Sequence, residues 1–240
     1  KLLTNKKYFI PIRRKKNISY KNYHNKPVDP DGKKRNLIAE REKKIKHFKI
    51  IINFLKKQKK RNILDVGCGF GWMLSELKSK EWNKFGIEIS EVAKNQAIKN
   101  NIKIFDNLKS IKKIKFDIIS MIHVIEHIYE PVKYFKMLKK NLKKNGILII
   151  ETPDFDCAMA RKYDKKFRLL HDKTHVSLFS LDSLCRMLRD NNFEIFKMEF
   201  PFFEGEYFNK KNLLRLFSKE KNFSPPFYGS VMTIFAKKIK

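Results

Sequence analysis

The chain has no apolar run long enough to cross a membrane. ILII (147–150) and KIIINFL (49–55) are among its longest, far short of the roughly 20 residues a spanning helix needs. Its opening, KLLTNKKYFIPIRRKK, carries charge but no sustained apolar core and no small-residue cleavage site, so a secretory signal is not expected. An initial methionine is also missing, as it would be from a piece of a longer protein. Cysteine is scarce: Cys68, Cys157 and Cys185 are odd in number and unclustered, with no metal-ligand spacing. That suits reduced thiols in a cytoplasm rather than disulfides. No internal repeat and no second folded domain is apparent.

Acidic residues are few as well, 25 Asp and Glu against 55 Lys and Arg, for a net charge of +30. A charge of that size suggests nucleic acid, but lysine dominates arginine, and Lys, Asn, Ile and Phe are abundant together, as AT-rich codon usage produces. No patch of arginines interleaved with aromatics and no nucleic-acid module is present. The charge is uneven. Residues 1–61 hold 22 Lys or Arg against Asp29, Asp31, Glu40 and Glu42, a net +18. This end should attract a phosphate-bearing substrate or an anionic inner-membrane surface.

With 42% hydrophobic residues, the chain can bury a full core. Residues 1–38 lack periodicity and contain the turn-rich NKPVDPDGKK, which predicts a basic irregular arm or lid. From Ala39 to about Lys60, Ile45, Phe48, Ile52 and Leu55 recur at helical spacing. Apolar runs and helical stretches then alternate: NILDV, KFGIEI, NIKIF, FDIISMI and GILIIET read as strands. WMLSELKS, SEVAKNQAIKN and PVKYFKMLKKNLKK read as helices between them, with Ser90 as an N-cap and Pro131 in a first turn. Strands separated by helices imply a parallel, doubly wound α/β sheet whose ligand lies beyond the strands' carboxyl ends. After helix SLDSLCRMLRDN, the runs FEIFKMEF and SVMTIFAKK predict a closing antiparallel pair, with residues 201–228 inserted between them.

ILDVGCGFGW joins the first strand of this alternation to its helix. A dinucleotide loop, GxGxxG from Gly67 and Gly69, requires glycine at position 72, which is Trp72. The third glycine is Gly71 and Asp65 precedes the loop, giving DxGxGxG. No GK[ST] follows, so this is not a phosphate-binding P-loop. Glu88 ends the second strand, where a carboxylate can accept hydrogen bonds from both hydroxyls of a ribose.

Through LDVGCGFG, GIEIS, FDIISMIHVIEHI and KKNGILIIETP, in that order, the chain resembles the S-adenosylmethionine-dependent methyltransferases of the Rossmann-like class from about Ile63 to Phe196. The resemblance implies a methyltransferase domain over residues 39–240 and a seven-stranded, mostly parallel sheet with its last strand antiparallel. It implies that Gly67 and Gly69 face the amino-acid part of S-adenosylmethionine, that Glu88 holds the ribose, and that Asp106 and Asn107 border the adenine. Asp65 would orient the loop or a cofactor-bound water. Cys68 is expected to pack, since a sulfonium cofactor already supplies an activated methyl group.

HVIEHI (123–128) follows the fourth strand. His123, Glu126 and His127 share a face if the stretch takes a helical turn, and His171 and His175 precede a predicted helix further on. Three readings of this cluster stand. In one, the groups hold the loop and His175 packs. In another, His127 or His175 takes the proton from an acceptor hydroxyl. In the third, His123, Glu126, His127 and His175 ligate a divalent metal that positions the acceptor. The HxxEH pattern with a distal histidine is similar to the ExxEH arrangement of small-RNA 2′-O-methyltransferases and to ubiquinone-pathway O-methyltransferases. His123 replaces glutamate, which shifts the expected ion from magnesium towards zinc, iron or manganese.

HDKTHVSLFSLDSLCRMLRDNNFEI also resembles bacterial methyltransferases of surface-polysaccharide synthesis. This implies a sugar or glycan hydroxyl, nucleotide- or lipid-linked, as the acceptor. The alternatives are an RNA 2′-hydroxyl, a quinone-type small-molecule phenol with Phe202, Phe203, Tyr207 and Phe208 as lining, and a non-catalytic cofactor-binding module.

Overall fold

The computed structural model describes residues 10–11, 36–59, 61–78, 80–111, 114–157, 160–161, 172, 174–201 and 231–239. His171, residues 202–228 of the expected insert with their aromatic lining, and most of the basic arm lie outside the described residues.

Seven strands make one sheet: β2 (Arg61–Val66), β3 (Trp82–Ile87), β4 (Lys103–Phe105), β5 (Phe116–Ile122), β6 (Leu142–Pro153), β8 (Phe193–Glu199) and β9 (Val231–Lys238). Their order is β4-β3-β2-β5-β6-β9-β8. The first five pair in parallel, and β9 runs antiparallel between β6 and β8. The Rossmann-like sheet of seven mostly parallel strands with an antiparallel last strand is therefore the fold. The order reverses between β2 and β5, and such a switch point opens a crevice at the strands' carboxyl ends. A separate pair joins β1 (Ile10–Pro11), within the expected arm, antiparallel to β7 (Ser177–Leu178).

Strand alternation divides the core between the two faces. Leu64, Ile119, Leu148, Ile150 and Ile234 pack with α5 (Pro131–Asn141) and α6 (Leu181–Asp190). Ile63, Ile118, Ile149 and Phe235 pack with α2 (Lys49–Lys56), α3 (Trp72–Ser75) and α4 (Glu91–Lys99). Neighbours in the chain thus bury on opposite faces, as a pleated strand covered on both sides demands. Each fully buried side chain of this size contributes about 1.5–3 kcal/mol.

Three element boundaries differ from expectation. The single helix expected over 39–60 is two: α1 (Leu37–His47), capped by the Asn36 side chain on the backbone amides of Ile38 and Ala39, and then α2. The joint at Phe48 turns Ile51, Ile52 and Leu55 into the core, while α1 buries no residue. α3 stops at Ser75, whose hydroxyl bonds the Trp72 carbonyl at 2.7 Å and competes with the helical ladder. Finally, LKK (142–144), expected to close α5, begins β6. The Asn141 amide bonds the carbonyls of Ile111 and Ile114, Leu142 is buried beside Phe116, and Asn145 takes the left-handed backbone next to Gly146. No described helix is long and apolar enough to cross a membrane.

Candidate active site

The carboxyl ends of β2 and β3 meet in a site made mostly of backbone. Gly67, Gly69 and Gly71 all have positive φ, at 71°, 53° and 73°. A Cβ at position 67 would lie 2.6 Å from Val124 Cγ2, and one at 71 would lie 2.3 Å from Ile102 Cδ1. Both conformation and space therefore require glycine at these two positions. The Gly67 and Cys68 amides donate to the Ile87 carbonyl and tie the loop to the end of β3.

Glu88, 7% exposed, braces the same loop. Its Oε2 accepts from the Gly69 amide at 2.9 Å, and its Oε1 accepts from the amides of Ile89 and Ser90 at 2.8 and 2.9 Å. A carboxylate has about four lone-pair sites, so acceptor capacity remains for ribose hydroxyls. Ser90 stands at the N-cap of α4, but its side chain makes no cap bond. Among the described residues, its hydroxyl is the one buried side-chain polar atom without a hydrogen-bond partner. Left-handed glycines, a terminal carboxylate and an orphaned hydroxyl together suit a ligand with an amino-acid end and a ribose.

Asp65 is buried behind the loop and accepts from the Ser120 hydroxyl at 2.7 Å. Burial pushes its carboxyl up to about 7 against that hydrogen bond, with the Glu88 charge adding to the rise. Burial likewise holds the Cys68 thiol well above its ordinary range, and its sulfur fills the space a Cβ on Gly86 would need. Cys68 is a packing group rather than a nucleophile. Of the residues expected at the adenine, Asp106 is exposed and paired with Lys94 at 2.5 Å. Asn107 accepts from the Lys109 amide at 2.9 Å, which is turn chemistry.

The carboxyl ends of β5 and β6 meet in a site made of side chains. β5 stops at Ile122, His123 takes the left-handed backbone at φ 53°, and residues 125–127 form one 3₁₀ turn. The His123 amide donates to the Glu151 carbonyl at 2.9 Å, fixing this bend to β6. Glu126 is fully buried, with Oε1 3.2 Å from His123 Nδ1 and Oε2 accepting from the Thr152 hydroxyl at 3.0 Å. Burial alone would raise the Glu126 carboxyl, but the His123 and His127 imidazoles outweigh it and hold it below its ordinary value. Val176 donates its amide to the Glu126 carbonyl at 2.8 Å, so the 3₁₀ turn carries the β7 segment beside it. His127 Nδ1 lies 3.0 Å from the Thr174 carbonyl, and the His127 and His175 rings are 5.0 Å apart.

The four residues expected to ligate a metal together divide between two groups. Glu126, His127 and His175 bring donor atoms within 4.8 Å of one another, while His123 gathers instead with His47 and Glu151. At the left-handed bend the His123 ring lies between the 3₁₀ turn and β6, with Nδ1 on Glu126 at 3.2 Å and Nε2 on Glu151 at 3.4 Å. His47, Glu151, Thr152 and Thr233 belong to this side and carry no spacing signal in the sequence. Glu151 might have been suspected as a lone charge closing the apolar run GILIIE. It is 1% exposed, and burial alone would raise its carboxyl, but the His47 and His123 imidazoles hold it well below the usual carboxylate range.

The model of a methyltransferase domain matches residues 37–197. Among curated proteins, the ubiquinone biosynthesis O-methyltransferase of Pelagibacter ubique is 37% identical over 120 residues, covering 47% of this chain and 50% of the relative. That of Rickettsia akari is 32% identical over 112 residues, covering 43% and 45%. The chain thus spans about half the length of the curated relatives it matches. A solved S-adenosylmethionine-dependent methyltransferase from Archaeoglobus fulgidus shares the fold at TM-score 0.60 and 20% identity, over 82% of this chain and 94% of that one. With a family match over more than half its length, across the stretch that holds the glycine loop, Glu88 and the 3₁₀ turn, the chain belongs to the S-adenosylmethionine-dependent methyltransferase family.

Proposed function

We propose that the chain is an O-methyltransferase that moves the methyl group of S-adenosylmethionine to the hydroxyl of a small aromatic acceptor, with His127 as general base. The observation that carries this reading is the contact between His127 Nδ1 and the Thr174 carbonyl. A carbonyl only accepts, so the 3.0 Å contact with Thr174 puts the proton on Nδ1 and makes Nε2 the basic nitrogen. When bound, S-adenosylmethionine supplies a sulfonium whose methyl group is already activated. His127 Nε2 would take the proton of the acceptor hydroxyl as that oxygen receives the methyl group, and would later return it to solvent. His175 and Glu126 are positioning residues: one packs on the His127 ring and the other anchors the turn that presents it. Gly67, Gly69 and Glu88 hold the cofactor's amino-acid part and ribose.

The Pelagibacter and Rickettsia relatives support an aromatic hydroxyl ahead of the sugar hydroxyl expected from sequence. The net +18 over residues 1–61 favours a second reading, a phosphate-bearing sugar acceptor. Incubation with isotope-labelled S-adenosylmethionine and a catechol, a nucleotide sugar or an RNA oligonucleotide separates these readings by mass spectrometry. A labelled O-methyl group on the catechol is expected. Labelling of the nucleotide sugar or the RNA alone would transfer the proposal to that acceptor. Calorimetric binding of the cofactor without transfer to any of the three would favour a non-catalytic module.

A further inference from the structure

We propose that His47, His123 and Glu151 form a divalent-cation site, separate from the His127 turn, that takes a borderline ion such as zinc or iron(II) through two imidazole nitrogens and one carboxylate oxygen. The three residues come from the end of α1, the left-handed bend after β5, and β6, so no local sequence pattern brings them together. Both imidazoles present the same atom. His47 Nε2 lies 2.6 Å and His123 Nε2 lies 3.4 Å from Glu151 Oε1, and the three donor atoms fall within 4.8 Å of one another.

The surrounding contacts are those of a ligand shell. A metal-bound histidine commonly gives its second ring nitrogen to a carboxylate that fixes the ring, and His123 Nδ1 lies 3.2 Å from buried Glu126. The second oxygen of Glu151 is likewise held, accepting from the Thr233 hydroxyl at 2.6 Å.

The Glu151 carboxylate between the two imidazoles is 1% exposed, and the His47 and His123 rings are stacked beside it, with centroids 5.8 Å apart and planes at 30°. Two imidazoles and one carboxylate select zinc or iron(II) over magnesium or calcium, and such a three-ligand set leaves a position open for water or an acceptor oxygen. The site is reachable, since the His47 and His123 side chains are 15% and 31% exposed.

The test reads binding rather than turnover, so it stands apart from the proposed methyl transfer. Cobalt(II), as a coloured stand-in for zinc, is titrated into the full chain and followed by visible absorption, with zinc added in competition. One equivalent bound with the d–d absorption of a four-coordinate nitrogen and oxygen site, and displaced by zinc, is expected. His47→Ala should weaken binding by more than the about 10–100-fold that loss of an outer contact costs, while His175→Ala should bind as the wild type does. Because α1 buries no residue, His47→Ala should fold. Zinc should therefore raise the melting temperature of the wild type and of His175→Ala but not that of His47→Ala. Absence of binding in the wild type, or binding lost in His175→Ala and kept in His47→Ala, overturns the proposal.

Discussion

The ends of β2 and β3 and the ends of β5 and β6 lie along one edge of one sheet, yet they are built from different parts of the chain. The first site is mostly backbone: three left-handed glycines, with the amides of Gly69, Ile89 and Ser90 meeting one carboxylate, Glu88. Its parts lie within about two dozen residues of sequence, and what they offer a ligand is the turned main chain. The second site is side chain, assembled from His47, His123, Glu126, His127, Glu151, Thr152, His175 and Thr233. It depends on distant segments arriving together. A site of the first kind tolerates little change at any position, whereas one of the second kind can be altered residue by residue while the sheet stays as it is.

The sharpest way to break that contrast is His127→Ala. As the general base it should cost about 10²–10⁴ in turnover, while calorimetry should find cofactor affinity unchanged. A fully active variant would reduce the side-chain site to scaffolding. Asp65→Asn tests the other site through pH. The folded state holds the Asp65 carboxyl at about 7 against an ordinary 3.8, so it favours the protonated form. The stability this gives is complete below about pH 4 and is lost as pH rises to about 7, a change of a few kcal/mol. Denaturant midpoints measured across that window should fall in the wild type and fall less in Asp65→Asn. Equal slopes would remove Asp65 from the account.

Glu88→Gln replaces one carboxylate oxygen by an amide donor facing backbone N–H groups. Hydrogen bonds to charged groups contribute about 1.5–3 kcal/mol, so cofactor affinity should drop by roughly tenfold or more. Turnover at saturating cofactor should stay the same, and a fall in that turnover instead would blur the division between the sites. The smallest effect concerns salt. For a neutral phenol the apparent KM should change by no more than about twofold as the Debye length shrinks from about 10 Å to about 3 Å. A steep rise with salt would favour the phosphate-bearing sugar.

The sheet and the glycine loop were legible because each announces itself locally. Apolar runs alternate with helical stretches, DxGxGxG sits on a strand end, and Glu88 closes the next strand. Boundaries were less legible where lysine runs mask periodicity: nothing in LKKN distinguishes the end of α5 from the start of β6, and the decisive contacts of Asn141 and Leu142 are tertiary. Asp106, expected to border the adenine, shows a further gap: it pairs with Lys94 of α4, a partner that no spacing announces. HVIEHI declared its polar residues plainly but not their partners. The left-handed bend at His123 sends that ring to Glu151 and His47, and a lone histidine at a helix end has no spacing by which to be noticed.

α1 fully buries no residue: Ile45 packs at the margin of the core, and Arg41 on Glu76 at 2.8 Å and His47 on Glu151 tie the helix to the rest of the molecule. A segment attached in this way can change its outer face freely, but not His47 or Ile45. In a lineage, the exposed positions of α1 could then drift while those two stayed constant. For the engineer, the outer face of α1 is the natural place to graft new recognition without touching the interior.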